Sequence, residues 1–146
     1  GLNPNDRNEN EFTNWNSKVS GTIDAGWGVN VTPVLKMQSG APYGRFANIP
    51  ACTAAVTANC LNYGSQLVLV EPIGTRRQDT VAVFDIRAEK TFRFAQKARV
   101  GVFADVFNIM NSNTAVNIAW VSGATFERAT TVLNPRIAKF GVKFDW

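Results

Sequence analysis

The sequence predicts an all-β fold, an antiparallel up-and-down sheet of the kind that walls a transmembrane β-barrel, present as about five strands that alone form an open curved sheet. Three observations predict it. Apolar and polar residues alternate with period two in five separate stretches, the connections between them are short and long in turn, and aromatic residues collect near strand ends.

The first stretch, residues 15–24, sets Trp15, Val19, Gly21 and Ile23 against Asn16, Lys18, Ser20, Thr22 and Asp24. The second, 29–39, sets Val29, Val31, Pro33, Leu35 and Met37 against Asn30, Thr32, Val34, Lys36 and Gln38. In the third, Phe84, Ile86, Ala88, Phe92 and Phe94 oppose Asp85, Arg87, Glu89, Thr91 and Arg93, with Lys90 the one charge on the apolar side. The fourth, 98–107, has Ala98, Val100, Val102, Ala104 and Val106 on one side. Its other side mixes Arg99, Gly101 and Asp105 with Phe103 and Phe107, so the alternation is imperfect there. The last closes the chain with Ala138, Phe140, Val142, Phe144 and Trp146 against Lys139, Gly141, Lys143 and Asp145. Each is close to the ~9–11 residues that cross a bilayer as a tilted strand. A helical stripe would set these charges beside the aromatics, which excludes helices.

Ala25-Gly26-Trp27-Gly28 and Ala95-Gln96-Lys97 are of hairpin length, whereas residues 40–78 and 109–134 make long connections. Structureless loops of that length are uncommon in a soluble sandwich. They are the rule in an outer-membrane barrel, where tight periplasmic turns alternate with long extracellular loops. In that orientation Trp27, Phe92, Phe94, Phe144 and Trp146 mark one membrane interface and Trp15 the other, and Lys90 snorkels toward headgroups.

Composition bounds the function. The 146 residues are 45% hydrophobic and 18% charged, which excludes a disordered chain and suits one ordinary domain in length. Histidine is absent, which removes Ser-His-Asp and Cys-His nucleophiles and His-ligated zinc. The net charge of +4 comes from singly scattered residues, Arg76-Arg77 being the only adjacent basic pair, so no nucleic-acid partner is expected. The apolar runs fall far short of the ~20 residues of a membrane helix. The chain opens on Gly1 in an Asn-rich stretch without initiator Met or signal segment, as expected of a mature product or a piece of something longer. Cys52 and Cys60, in a small-residue segment, suit a loop disulfide in an oxidising compartment, since two thiolates without further ligands leave a zinc ion half-ligated; two free thiols are the alternative. No metal or cofactor is expected.

Four motifs and the terminal alternation carry a resemblance. They are Ser39-Gly40-Ala41-Pro42-Tyr43-Gly44-Arg45, Phe84-Asp85-Ile86-Arg87-Ala88-Glu89-Lys90-Thr91-Phe92, Asp105-Val106-Phe107-Asn108-Ile109-Met110-Asn111 and Asn134-Pro135-Arg136. In this order they resemble the C-terminal end of TonB-dependent outer-membrane receptors, in particular the Oar-like group with a carboxypeptidase-regulatory-like N-terminal domain, over most of residues 15–146. The alternation Phe140, Val142, Phe144, Trp146 is similar to the signal read by the barrel-assembly machinery, with Trp146 where Phe is more usual. The resemblance implies a bacterial outer-membrane location and import of a ligand with energy from the inner membrane, without covalent chemistry. It implies as partners the outer-membrane lipid, the remainder of the barrel and its plug domain, the barrel-assembly machinery, TonB through an N-terminal region not in this sequence, and an imported ligand it does not identify. An odd strand count does not suit a free-standing bacterial barrel, so residues 1–146 are expected to be roughly the last quarter of a plugged barrel of about 22 strands.

The candidate site residues follow from this arrangement. Asp85, Arg87, Glu89, Arg93, Arg99, Asp105, Lys139 and Lys143 would face the lumen, either guiding substrate and holding the plug or simply forming cross-strand ion pairs of ~0.2–1 kcal/mol each. Asp85 and Glu89 lie roughly 13 Å apart along a strand, beyond the ~5–9.5 Å of a glycosidase pair. Arg87 between them would keep both ionised, and no enzymatic role is expected. In the extracellular loops, Tyr43, Arg45, Tyr63, Arg76 and Arg77 suit capture of a ligand; the alternative is a surface lid stapled by Cys52 and Cys60. A soluble secreted β-sandwich or adhesin-like binding module is the competing reading, and it requires a second sheet over the Phe140 and Phe144 face.

Overall fold

The computed structural model describes residues 12–94 and 98–146, and among them there is no helix. In chain order the first strands are β1 (Asn16–Ser20), β2 (Ile23–Asp24), β3 (Val29–Gln38), β4 (Pro42–Tyr43), β5 (Phe46–Ile49) and β6 (Gln66–Leu69). They are followed by β7 (Arg76–Arg77), β8 (Val81–Arg93), β9 (Arg99–Phe107), β10 (Ala115–Ile118), β11 (Ala129–Val132) and β12 (Ile137–Asp145). The chain divides into two compact units. The sheet unit comprises Trp15–Gln38, Thr80–Thr114 and Leu133–Trp146; the loop unit comprises Ser39–Asp79, Ala115–Val132 and the described residues before Trp15.

The sheet unit is antiparallel throughout, in the order β1-β3-β8-β9-β12 with β2 also on β3. Its register is set by the alternation. One row across it reads Val31, Ala88, Ala104, Phe140, and the next reads Thr32, Arg87, Asp105, Lys139. A slip of one residue in any strand would carry its charges into the apolar row. All eight expected lumen-side charges therefore share one face, and the residues expected on the apolar side of each strand share the other, while Val34, Val81, Val83, Phe103 and Phe107 lie on the charged face.

Two irregularities have local causes. The first stretch is interrupted at Gly21 and Thr22, yet Ser20↔Val34 and Ile23↔Val31 show that the register continues across the gap. The gap lies opposite Pro33, whose carbonyl accepts a long bond of 3.4 Å from the Gly21 N–H and which has no N–H to return. The β8 side of Pro33 is unbroken, because each residue of an antiparallel strand aims its N–H and C=O at the same neighbour. The second irregularity is Phe103 on the charged face. It stands directly opposite Gly141 with its ring over the glycine, and the Arg87 guanidinium covers the ring at 4.2 Å. The ring thus shields backbone that a glycine leaves bare.

The hairpin between β2 and β3 closes through Ala25 N–H to Val29 O and Val29 N–H to Gly26 O, both 2.9 Å, with Trp27 in the left-handed region at φ 53°. The expected turn at Ala95-Gln96-Lys97 lies outside the described residues; the Phe94 N–H to Ala98 O bond, 3.1 Å, flanks it.

Among the described residues β1 and β12 are the edges of the sheet, which does not close into a ring. The apolar face is bare: Phe140 is 77% exposed and Phe144 66%, and no second sheet covers them among the described residues. Among the described residues the buried apolar core is limited to Tyr43 and Val81.

The long connections are less irregular than their composition suggests. Among its described residues the loop unit contains three two-stranded ribbons, β4 with β7, β5 with β6 and β10 with β11. Each of these strands has only two to four residues, too few for alternation to show in the sequence. Gly40 and Gly44 in the first motif touch the backbone carbonyls of Gln78 and Glu71 so closely that a side chain at either position would displace the facing segment.

Candidate functional site

Two groups of expected functional residues are brought together, one in the loop unit and one on the charged face of the sheet unit, and a third cluster joins Asp85 to residues of the other motifs. In the loop unit the Arg76 side chain runs between two carboxylates. Its Nε donates to Glu71 Oε2 at 2.7 Å and its Nη1 to Glu127 Oε1 at 2.6 Å. The buried Tyr43 hydroxyl donates to the same Glu127 oxygen at 2.9 Å. Arg45 Nε donates to Ser122 Oγ at 2.8 Å, and that hydroxyl donates in turn to the Phe46 carbonyl. The Phe126 ring lies 5.2 Å from the Arg45 guanidinium carbon and 5.4 Å from that of Arg76. Backbone bonds add to the junction, with Phe46 N–H on Trp120 O at 3.0 Å and Ser122 N–H on Phe46 O at 2.7 Å. Tyr43, Arg45 and Arg76 thus tie the first long connection to the second.

Charge states follow this pairing. The hydrogen bond from Arg76 holds the Glu71 carboxyl below its ordinary range, and the two carboxylates hold the proton on Arg76 still more firmly. Burial raises the Tyr43 phenol, and its bond to Glu127 adds to this.

Arg77 is committed elsewhere in the unit. Its Nη1 donates to Asn14 Oδ1 at 3.0 Å and Gly40 O at 2.8 Å, and its Nη2 to Thr13 O at 2.8 Å. Tyr63 stands apart from these contacts, 75% exposed. It lies just past the segment that Cys52 and Cys60, which are disulfide-bonded, close off. Cys52 N–H to Leu61 O and Leu61 N–H to Pro50 O, both 2.9 Å, tie the same ends together. Tyr43, Arg45, Arg76 and Arg77 thus form a brace bonded to residues of their own unit.

On the charged face of the sheet, Asp85 corrects the expectation from spacing. Arg87 does not bridge Asp85 and Glu89. It lies 3.5 Å from Glu89 and 3.7 Å from Asp105, while Asp85 is paired with Lys36 across the strands at 3.0 Å. Asp85 thus takes its partner from the neighbouring strand β3, while Arg87 divides between Glu89 on its own strand and Asp105 on β9. Lys143 pairs with Asp145 on its own strand at 3.2 Å. Lys139 is in register with Asp105, and Arg93 with Arg99.

The third group lies where β9 ends. The other carboxylate oxygen of Asp85 accepts the Asn108 N–H at 2.9 Å. Asn108, 4% exposed, donates from Nδ2 to the carbonyls of Ser112 at 3.0 Å and Asn134 at 2.7 Å, and its Oδ1 accepts the Ser112 N–H at 2.9 Å. Asn111 Oδ1 accepts the Arg136 N–H at 3.0 Å. Three of the four motifs therefore meet in one hydrogen-bond cluster that fixes a turn.

Lys36, Glu71, Ser122 and Glu127 did not stand out in the sequence. Nothing in the spacing selects Glu71 and Glu127 as the acids that pair with Arg76. Comparison with protein-family models, curated proteins and solved structures finds no match to this chain.

Proposed function

We propose that the chain forms wall and outer loops of an outer-membrane TonB-dependent receptor that binds and imports a ligand without covalent chemistry. The observation that carries the reading is the register: five strands place every charge but Lys90 on one face and leave a continuous apolar face bare. A water-soluble chain that exposed this face would aggregate, whereas lipid satisfies it. The strands suit the task in length, β3, β9 and β12 having 10, 9 and 9 residues. The unpaired edges β1 and β12 are where the rest of a barrel would join. On this reading the charged face lines the wet interior, and the loop unit leaves Tyr63, Leu67 and Val70 exposed.

Fractionation and one substitution test the proposal. The parent protein should leave the bacterial outer membrane only with detergent. Val142→Arg, mid-strand on the apolar face, should cost about 2–4 kcal/mol of stability in the bilayer, against less than about 1 kcal/mol for Lys139→Ala on the other face. A monodisperse protein in detergent-free buffer, indifferent to Val142→Arg, would refute the reading and favour the secreted binding module.

A further inference from the structure

The apolar face holds one charge. Lys90 lies in register with Val29 on β3 and Val102 on β9, and its Nζ is 5.5 Å from the centroid of the Phe92 ring. Next to it the face is hollow. Ala88 and Ala104 are direct partners across β8 and β9, and their short side chains leave a trough walled by Phe92 and Phe140. The groove measures about 520 Å³, is almost wholly apolar, and has Lys90 in its lining. Trp27, Phe94 and Trp146, exposed by 94%, 73% and 96%, belong to the same end of the sheet.

We propose that this groove is a binding site for a single glycerophospholipid, resting on the membrane reading above. An acyl chain fills the trough over Ala88 and Ala104, and the lipid phosphate pairs with the Lys90 ammonium. Charge complementarity selects this occupant. A lone cation on a face otherwise free of charge, at the end where aromatics gather, meets a phosphodiester at the level of the headgroups. A purely hydrocarbon partner would leave the ammonium unpaired, and a protein strand laid across the face would bury it. The Phe92 ring holds the ammonium near the groove, where freely snorkelling lysine would spread over the interface.

The test uses the full-length receptor purified from outer membranes in mild detergent, with phosphatidylethanolamine added back and counted by native mass spectrometry. Wild type should retain one lipid per protein after washing. Lys90→Gln should weaken retention ~5-fold, the equivalent of ~1 kcal/mol for one lysine at the membrane surface. Lys90→Arg should restore it, and Ala88→Leu, which fills the trough and keeps the charge, should abolish the retained lipid. Equal retention by wild type, Lys90→Gln and Ala88→Leu in a membrane-embedded receptor overturns the lipid site and leaves the barrel reading standing. Recovery of the receptor in the detergent-free soluble fraction overturns both.

Discussion

Replacing Asn108 by alanine separates two effects that the turn after β9 combines. The side chain makes three hydrogen bonds, two from Nδ2 and one to Oδ1, and is 4% exposed. At a net ~0.5–1.5 kcal/mol each, their loss costs about 1.5–4.5 kcal/mol, toward the upper end because the Ser112 and Asn134 carbonyls and the Ser112 N–H lose their partner. Asn108 also has φ 51°, a left-handed conformation that Asn tolerates and alanine resists by about 1 kcal/mol. Asn108→Ala should therefore destabilise the sheet unit by about 3–5 kcal/mol. Asn108→Gly, which keeps the backbone conformation, should lose about 1 kcal/mol less. Denaturant titration of the full-length protein in detergent gives the two values, and hydrogen exchange at the Ser112 amide reports the local bond. A cost below about 0.5 kcal/mol for Asn108→Ala, or alanine at least as stable as glycine, would refute the reasoning.

Three further outcomes are expected. Gly141→Ala should cost about 1–3 kcal/mol, because the new methyl meets the Phe103 ring; Phe103→Leu should relieve part of this, read as a coupling in a double-mutant cycle. Joint replacement of Cys52 and Cys60 by serine, which opens a loop with a sequence separation of 8, should cost the loop unit about 2–3 kcal/mol and speed proteolysis between residues 52 and 60. The brace should depend on pH at both extremes. The Glu71 carboxyl is depressed, so its contribution is complete above the ordinary 4.5 and is lost as pH falls through the lower folded value. The Tyr43 phenol is raised, so its contribution is complete below 10.0 and is lost as pH rises through the higher folded value. Hydrogen exchange at Phe46 and Ser122 should accelerate on both sides of that plateau. Unchanged protection at acid pH would show that Arg76 does not depend on Glu71.

The legible part of this chain is the part where one physical requirement repeats. Alternation from Val29 to Gln38 and from Ile137 to Asp145 could be read because each strand must keep one face apolar, and the same requirement fixes the pairing of five strands. Pro33 was legible as a member of a strand, but the gap it imposes on its neighbour was not, since that depends on which side its missing N–H faces. Phe103 looked like an error in the pattern until Gly141 was placed opposite it. The brace was half legible. Tyr43, Arg45 and Arg76 stood out as an unusual mixture, but Ser122 and Glu127 lie 77 and 84 residues from their partners, and no local period connects them. Arginines in a surface loop suggest ligand capture; here Nε of Arg45 bonds Ser122, Arg76 bonds Glu71 and Glu127, and Arg77 bonds Asn14 and backbone carbonyls.

The two faces of the sheet differ in what they still require. The charged face pairs part of its own charge, Lys36 with Asp85 and Arg87 with Glu89 and Asp105, with Phe103 between Arg87 and Gly141, while Arg93 stands in register with Arg99. Such a face is stable against water or against another polar surface. The apolar face has no internal partner, and its exposed residues are Val19 and Ile23 at one edge, Phe92 and Val102 within the sheet, and Phe140, Val142 and Phe144 at the other edge. On the proposed membrane reading, what covers this face is apolar and reaches both edges. A covering sheet would have to match all five strands and tolerate Lys90, whereas a bilayer matches any width and takes the ammonium at its headgroups. The same asymmetry explains why so hydrophobic a chain buries so little of its apolar content within itself.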